Sequence, residues 1–274
     1  MRDILCRVTR IQPWNAGVSY AADLAARIDG AATGVYVHAS PLDSMPRFGS
    51  SELFGTLLRH ARERLALAQA CGEAFVEHAR ALGARTAGWQ IAEGYLPDVL
   101  ARLSLRHDLL VLERDDEHAH GDPGELARLL LATPLPCIAV PAGLKQARLD
   151  CVALAWNAGV ESIRAIHAAM PLVRRAARVV LLRGAPRKPL GAAGWHPPFS
   201  IDAYLERHEI RAEPRTLATP DRDAGAPLLE AAAQVGADLL VMGAYGRSRL
   251  DEWALGGTTR SVLRQAAIPL FLHH

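Results

Sequence analysis

The residues of this chain best suited to chemistry are glycines and hydroxyls rather than acids, bases or nucleophiles. The segment VMGAYGRSRLDEWALGGTTRSVLRQ follows an aliphatic run and carries Gly243, Gly246, Gly256 and Gly257. Thr258 and Thr259 then open a helix that holds Val262 and Leu263. Glycine at the end of a buried strand permits positive φ and close approach of a ligand to the backbone, so a turn at Gly243 and Gly246 exposes main-chain amides. The amino end of a helix offers free amides and a favourable dipole to an anion, and threonine hydroxyls add donors. Phosphate is the natural ligand of such a loop. Arg247 stands where it can pair with that phosphate, with a solvated arginine as the competing reading, while Arg249, Asp251 and Glu252 read as a solvated face. The chain lacks a nucleophile-elbow Gly-x-Ser-x-Gly, a phosphate-loop lysine and a zinc-protease His-Glu-x-x-His, so it reads as a binder and not as an enzyme.

The elements around this loop occur twice. HDLLVLE, from His107 to Glu113, follows a helix-like stretch, as does ADLLVMG from Ala237 to Gly243. Asp108 and Asp238 are matching positions, 130 residues apart (238 minus 108). Pro136 and Pro269 each precede a short apolar strand, at an offset of 133 (269 minus 136), and NAGV begins at both Asn15 and Asn157, at an offset of 142 (157 minus 15). Short β-rich runs alternating with amphipathic helices predict parallel sheets covered on both faces. The fold class expected is α/β, with two tandem Rossmann-like doubly wound domains, each a five-stranded parallel sheet. Domains of 1–145 and 146–274 are expected, divided within PAGLKQARLD, and the second should place strands near 151–156, 178–183, 210–217, 237–242 and 269–273. The helix-like run from Leu57 to Leu82 reads as a core-facing helix.

Composition narrows the partners. Half of the 274 residues are hydrophobic, the formal net charge is +2 and aromatics make up 5%, so neither a basic patch nor a stacking platform for nucleic acid is expected. Cys6, Cys71, Cys137 and Cys151 lack paired spacing and read as buried thiols in a reducing compartment. No segment approaches 18 uninterrupted apolar residues, so no membrane partner and a cytoplasmic location are expected. Glu117, His118, His120 and Asp122 suggest a metal but read better as a polar surface loop, and His273 and His274 receive no role.

The spacing of Gly243, Gly246 and Gly256 resembles the universal stress protein signature, in which Gly, two residues, Gly, nine residues, Gly and then Ser or Thr hold the phosphates of ATP. Gly257 departs from it by standing where Ser or Thr is usual, with Thr258 following. The resemblance implies that Asn157 replaces the family's acidic residue at the end of the first strand. It also implies that Ala155 and Trp156 flank the ligand and that Gly184 offers backbone to adenine. The implied ligand is ATP or another adenine nucleotide, with or without magnesium. In the first half Glu113, Arg114, Asp115 and Asp116 stand where the turn glycines should be, so that half should repel phosphate and serve as a structural or pairing half. The implied protein is a stress-response nucleotide sensor whose halves form a pseudo-dimer, with a homodimer beyond it. The alternative is a structural or protein-interaction module that binds no nucleotide.

Overall fold

The structure is a computed structural model that describes residues 1–39, 51–115, 122–184, 199–217, 224–244 and 257–274. It divides into two compact units, Met1–Ala147 and Arg148–His274.

The first unit runs β1 (Asp3–Arg7), α1 (Ala16–Arg27), β2 (Ala31–His38), α2 (Ser51–Ala70), α3 (Gly72–Ala81), β3 (Thr86–Glu93), α4 (Leu96–Ser104), β4 (Leu109–Glu113), α5 (Pro123–Ala132) and β5 (Cys137–Val140). The second runs β6 (Cys151–Trp156), α6 (Val160–Val173), β7 (Arg178–Arg183), α7 (Ile201–Arg207), β8 (Ala212–Thr216), α8 (Gly225–Gln234), β9 (Leu239–Gly243), α9 (Gly257–Gln265) and β10 (Leu270–His273). Within each unit the strands follow one order, β3-β2-β1-β4-β5 in the first and β8-β7-β6-β9-β10 in the second. The pairings are parallel. Each unit is therefore a doubly wound α/β layer whose order reverses between its first and fourth strands.

Burial explains the strand sequences. β4 and β5 are buried along their whole length, as are the cores of β1, β6 and β9, and they read as unbroken aliphatic runs because helices cover both faces. The edge strands β3 and β8 mix half-buried with exposed residues and contain no fully buried one. The matched aspartates have a structural role. Asp108 accepts from the amides of Arg2 (2.6 Å) and Asp3 (3.1 Å), and Asp238 accepts from the amide of Cys151 (2.9 Å), so each ties the start of its fourth strand to the start of its first. Partial burial works against the charge of Asp108, yet the two amides hold its carboxyl below the usual carboxylate range.

Two expectations are corrected. The run from Leu57 to Leu82 is not one core-facing helix: it breaks at Cys71 into α2 and α3. Leu53, Leu57 and Leu67 of α2 are exposed, while Phe75 and Ala79 of α3 are buried. The NAGV match does not mark equivalent positions either. Ile4 pairs with Leu109 and Val152 with Leu239, which relates the first strands by 148 residues (152 minus 4), six more than the tetrapeptide offset of 142. The first unit has eight residues between β1 and α1 where the second has three between β6 and α6, so NAGV caps and opens α1 there. In the second unit NAG forms the turn after β6, with Ala158 at φ 59° and Gly159 at the helix N-cap, and α6 begins at Val160.

Candidate functional site

The carboxyl edge of the second sheet gathers most of the described candidates. Trp156 lies opposite Arg183 in the β6–β7 register, so Asn157 and Gly184 leave the sheet side by side. Leu154 faces Val241 on β9, and His273 of β10 faces Gly243, which brings Gly243 to the same edge at the reversal of strand order. The helix α9 starts on this edge too, with Gly257 and Thr258 in its first turn and Thr259 buried there. Gly246, Arg247 and Gly256 lie outside the described residues.

The local bonds differ from what the residue types suggest. Gly243 is not among the described glycines with positive φ, which are Gly83, Gly94, Gly143 and Gly236. A Cβ at Gly243 would lie 2.6 Å from the Glu161 carbonyl carbon and 2.6 Å from the Ser162 nitrogen, so this glycine lets α6 close on the end of β9. The Gly184 amide donates to the Trp156 carbonyl (2.9 Å) and is not free for a base. Asn157 is exposed, and its Oδ1 accepts from the Gly159 amide (3.0 Å), fixing the turn into α6. Ala155 is half-buried in β6. The half-buried Trp156 ring packs on Phe199 (5.7 Å between centroids), and Phe199 meets Tyr204 (5.7 Å) at the start of α7.

A cavity of about 530 Å³ opens beside this edge, lined by Arg164, His167, Ala168, His273 and His274, none of them given a role from sequence. Burial, with His274 and Arg164 adding to it, holds the His273 imidazole below its ordinary pKa, and burial and then His208 do the same to His167. Sequence could not disclose this lining because α6 and the last strand meet only in the fold. Among the described residues no group of three or more His, Cys, Asp or Glu is placed to hold a metal. Of the polar loop, Glu117, His118 and His120 lie outside the described residues. Asp122 caps α5, accepting from Gly124 (2.7 Å) and Glu125 (3.2 Å). No helix among the described residues is long and apolar enough to cross a membrane.

The same edge of the first unit is filled from within. Glu113 at the end of β4 is buried, and its Oε2 accepts from the Asn15 side-chain amide (2.9 Å) and the Gly17 backbone amide (2.8 Å). Arg10 approaches Oε1 at 3.7 Å. Arg7 at the end of β1 forms a two-pronged pair with Glu125 in the first turn of α5 (3.0 and 3.3 Å). Thus the Glu113 and Glu125 carboxylates are paired internally rather than set as a repelling surface, while Asp116 lies outside the described residues.

A parallel sheet reversing at its first and fourth strands, with a helix amino end at the carboxyl edge, defines the doubly wound α/β class. The universal stress protein family model matches residues 158–274. This match falls within the second unit. A universal stress protein of Synechocystis sp. is 25% identical over 182 residues, covering 65% of this chain and 61% of its own length. A crystal structure of a universal stress protein from Archaeoglobus fulgidus covers 99% of this chain and 96% of its own, with TM-score 0.67 and 13% identity. A putative universal stress protein from Pseudomonas aeruginosa covers 100% and 93%, with TM-score 0.56 and 14% identity. These two likenesses extend the fold over both units.

Proposed function

We propose that the chain is a stress-response protein that binds one adenine nucleotide, ATP or AMP, at the carboxyl edge of its second unit and acts by binding rather than turnover. The observation that supports this reading is the convergence of Asn157, Gly184, Gly243 and the amino end of α9 on one edge at the reversal of strand order. In this reading the phosphates rest on the turn at Gly243 and Gly246 and on Gly256 to Thr259, with Arg247 as counter-charge. Trp156 and Ala155 border the base, and Asn157 bonds the ribose as a neutral partner. Gly184 then contributes surface and its carbonyl rather than its amide. Magnesium, where present, would ride on the nucleotide. Carboxylates of the first unit already occupy the corresponding helix amino ends, so that unit serves as the structural half.

A second reading, a scaffold without nucleotide, is favoured by a specific observation. Gly243, the Gly184 amide and the Asn157 side chain each have an internal task that accounts for them. Calorimetric titration with ATP, ADP and AMP in magnesium buffer separates the two. Binding that disappears in Gly246→Asp supports the nucleotide site, and silence of the unmodified chain at millimolar nucleotide overturns it in favour of the scaffold.

A further inference from the structure

We infer that the first unit contains an oxyanion site of its own and that the Glu113 carboxylate is its resident ligand. Two hydrogen-bond donors and one cation converge on this one group: the Asn15 side-chain amide at 2.9 Å, the Gly17 main-chain amide at 2.8 Å, and the Arg10 guanidinium as an ion pair at 3.7 Å. The Asn15 side chain is fully buried and makes no capping bond to its own helix. Its Oδ1 instead accepts from Thr9 (3.1 Å), which aims its amide at Glu113. Gly17 completes the cradle: a Cβ there would stand 3.2 Å from the Glu113 Cβ, 3.3 Å from the Asn15 amide nitrogen and 3.4 Å from the Glu113 backbone nitrogen, closer than a side chain sits without pushing its neighbours.

The twelve-residue α1 therefore takes its N-terminal acceptor from a strand 96 residues away. The second unit has the reverse arrangement, with glycine on the strand at Gly243 and the backbone of α6 closed against it. In one unit the helix yields to a carboxylate, and in the other the strand yields to the helix. The built site fits a small monocarboxylate, the chemistry of the side chain that now fills it. Because its occupant is tethered, the first unit stays occupied at any concentration of soluble anion.

Chemical rescue tests this on the full chain without nucleotide, so the outcome is independent of what the second unit binds. Glu113→Ala leaves the donors of Asn15 and Gly17 without their acceptor in a space of carboxylate size. Its melting temperature falls by several degrees, and sodium formate raises it saturably above sodium chloride at equal ionic strength. The unmodified chain and Glu113→Gln, whose side chains still fill the space, show no such difference between the salts. Formate and chloride acting alike on Glu113→Ala, or formate shifting the unmodified chain equally, would overturn the inference. If Glu113→Ala does not fold, Glu113→Gln carries the test through hydrogen exchange. The Gly17 amide should exchange about tenfold faster once its partner is uncharged, and unchanged protection would overturn it.

Discussion

Adding one methyl group at Gly243 separates a packing role from a ligand role at the centre of the proposed site. The new Cβ would lie 2.6 Å from the Glu161 carbonyl carbon, 2.6 Å from the Ser162 nitrogen and 2.7 Å from the Glu161 Cβ. Two of these three atoms are helix backbone, which cannot rotate aside as a side-chain tip can. The first turn of α6 must therefore move off β9, and overpacking of this kind costs about 1–3 kcal/mol. Alanine also narrows the unfolded ensemble, which returns about 0.4–1 kcal/mol. Gly243→Ala should thus lose up to about 2.6 kcal/mol, about 1.3 at the centre of both ranges, and with a urea slope of about 2 kcal/mol/M its midpoint then falls by about 0.7 M. Gly184→Ala is the control: among the described residues its Cβ would meet only the Trp156 carbonyl oxygen, at an ordinary 3.7 Å, so its stability stays within about 0.5 kcal/mol. Urea denaturation followed by circular dichroism gives both values. Equal stability of the two variants would refute the packing account and return Gly243 to the ligand alone.

Three further outcomes follow from the same geometry. The folded pKa of Asp108 is lowered, so its contribution is fully present above the unfolded value of about 3.9 and is lost as pH falls through the lower folded value. The gap in melting temperature between the unmodified chain and Asp108→Asn should therefore hold steady near neutral pH and close in acid, as a pH series of thermal melts will show. Phe75 is fully buried between Trp14 (5.8 Å) and Trp89 (5.3 Å), so Phe75→Ala should cost about 3–5 kcal/mol in the same urea assay. The four free cysteines are buried, with burial pushing the Cys6 thiol up to about 12 and Cys137 up as well. An aromatic disulfide reagent at pH 8 should react with them slowly in the native chain and promptly after denaturation.

The fold was legible because its signals are local. Aliphatic runs bounded by Asp108 and Asp238, and by Pro136 and Pro269, mark buried parallel strands, and β6 and β7 fall at the residues read for them. The edge strand β8 is shorter than its apolar pattern suggests, since exposed positions give little pattern to read. α2 was misread because leucines at helical spacing look alike whether covered or not. The longer connection before α1 was hidden by the repeated NAGV, whose identity suggested one position where the fold has two.

The site was legible only in part, for a related reason. Residue type showed that Gly243 must be small, but not that the missing side chain makes room for α6. Glu113 read as a charge set against phosphate, whereas its partners Asn15 and Gly17 lie nearly a hundred residues earlier and only the closed sheet brings them together. Asn157 was found at the end of β6 by its position in sequence, and its bond to Gly159 was not, because that bond depends on the backbone turn at Ala158.

The most direct measurement of the central claim is the number of nucleotides bound per chain, by equilibrium dialysis against labelled ATP with magnesium. One per chain is predicted, on the proposal that the second unit takes the nucleotide, while Glu113 and Asp122 hold the helix ends of the first. Two per chain would contradict the self-filled first unit, and none would contradict the nucleotide site itself.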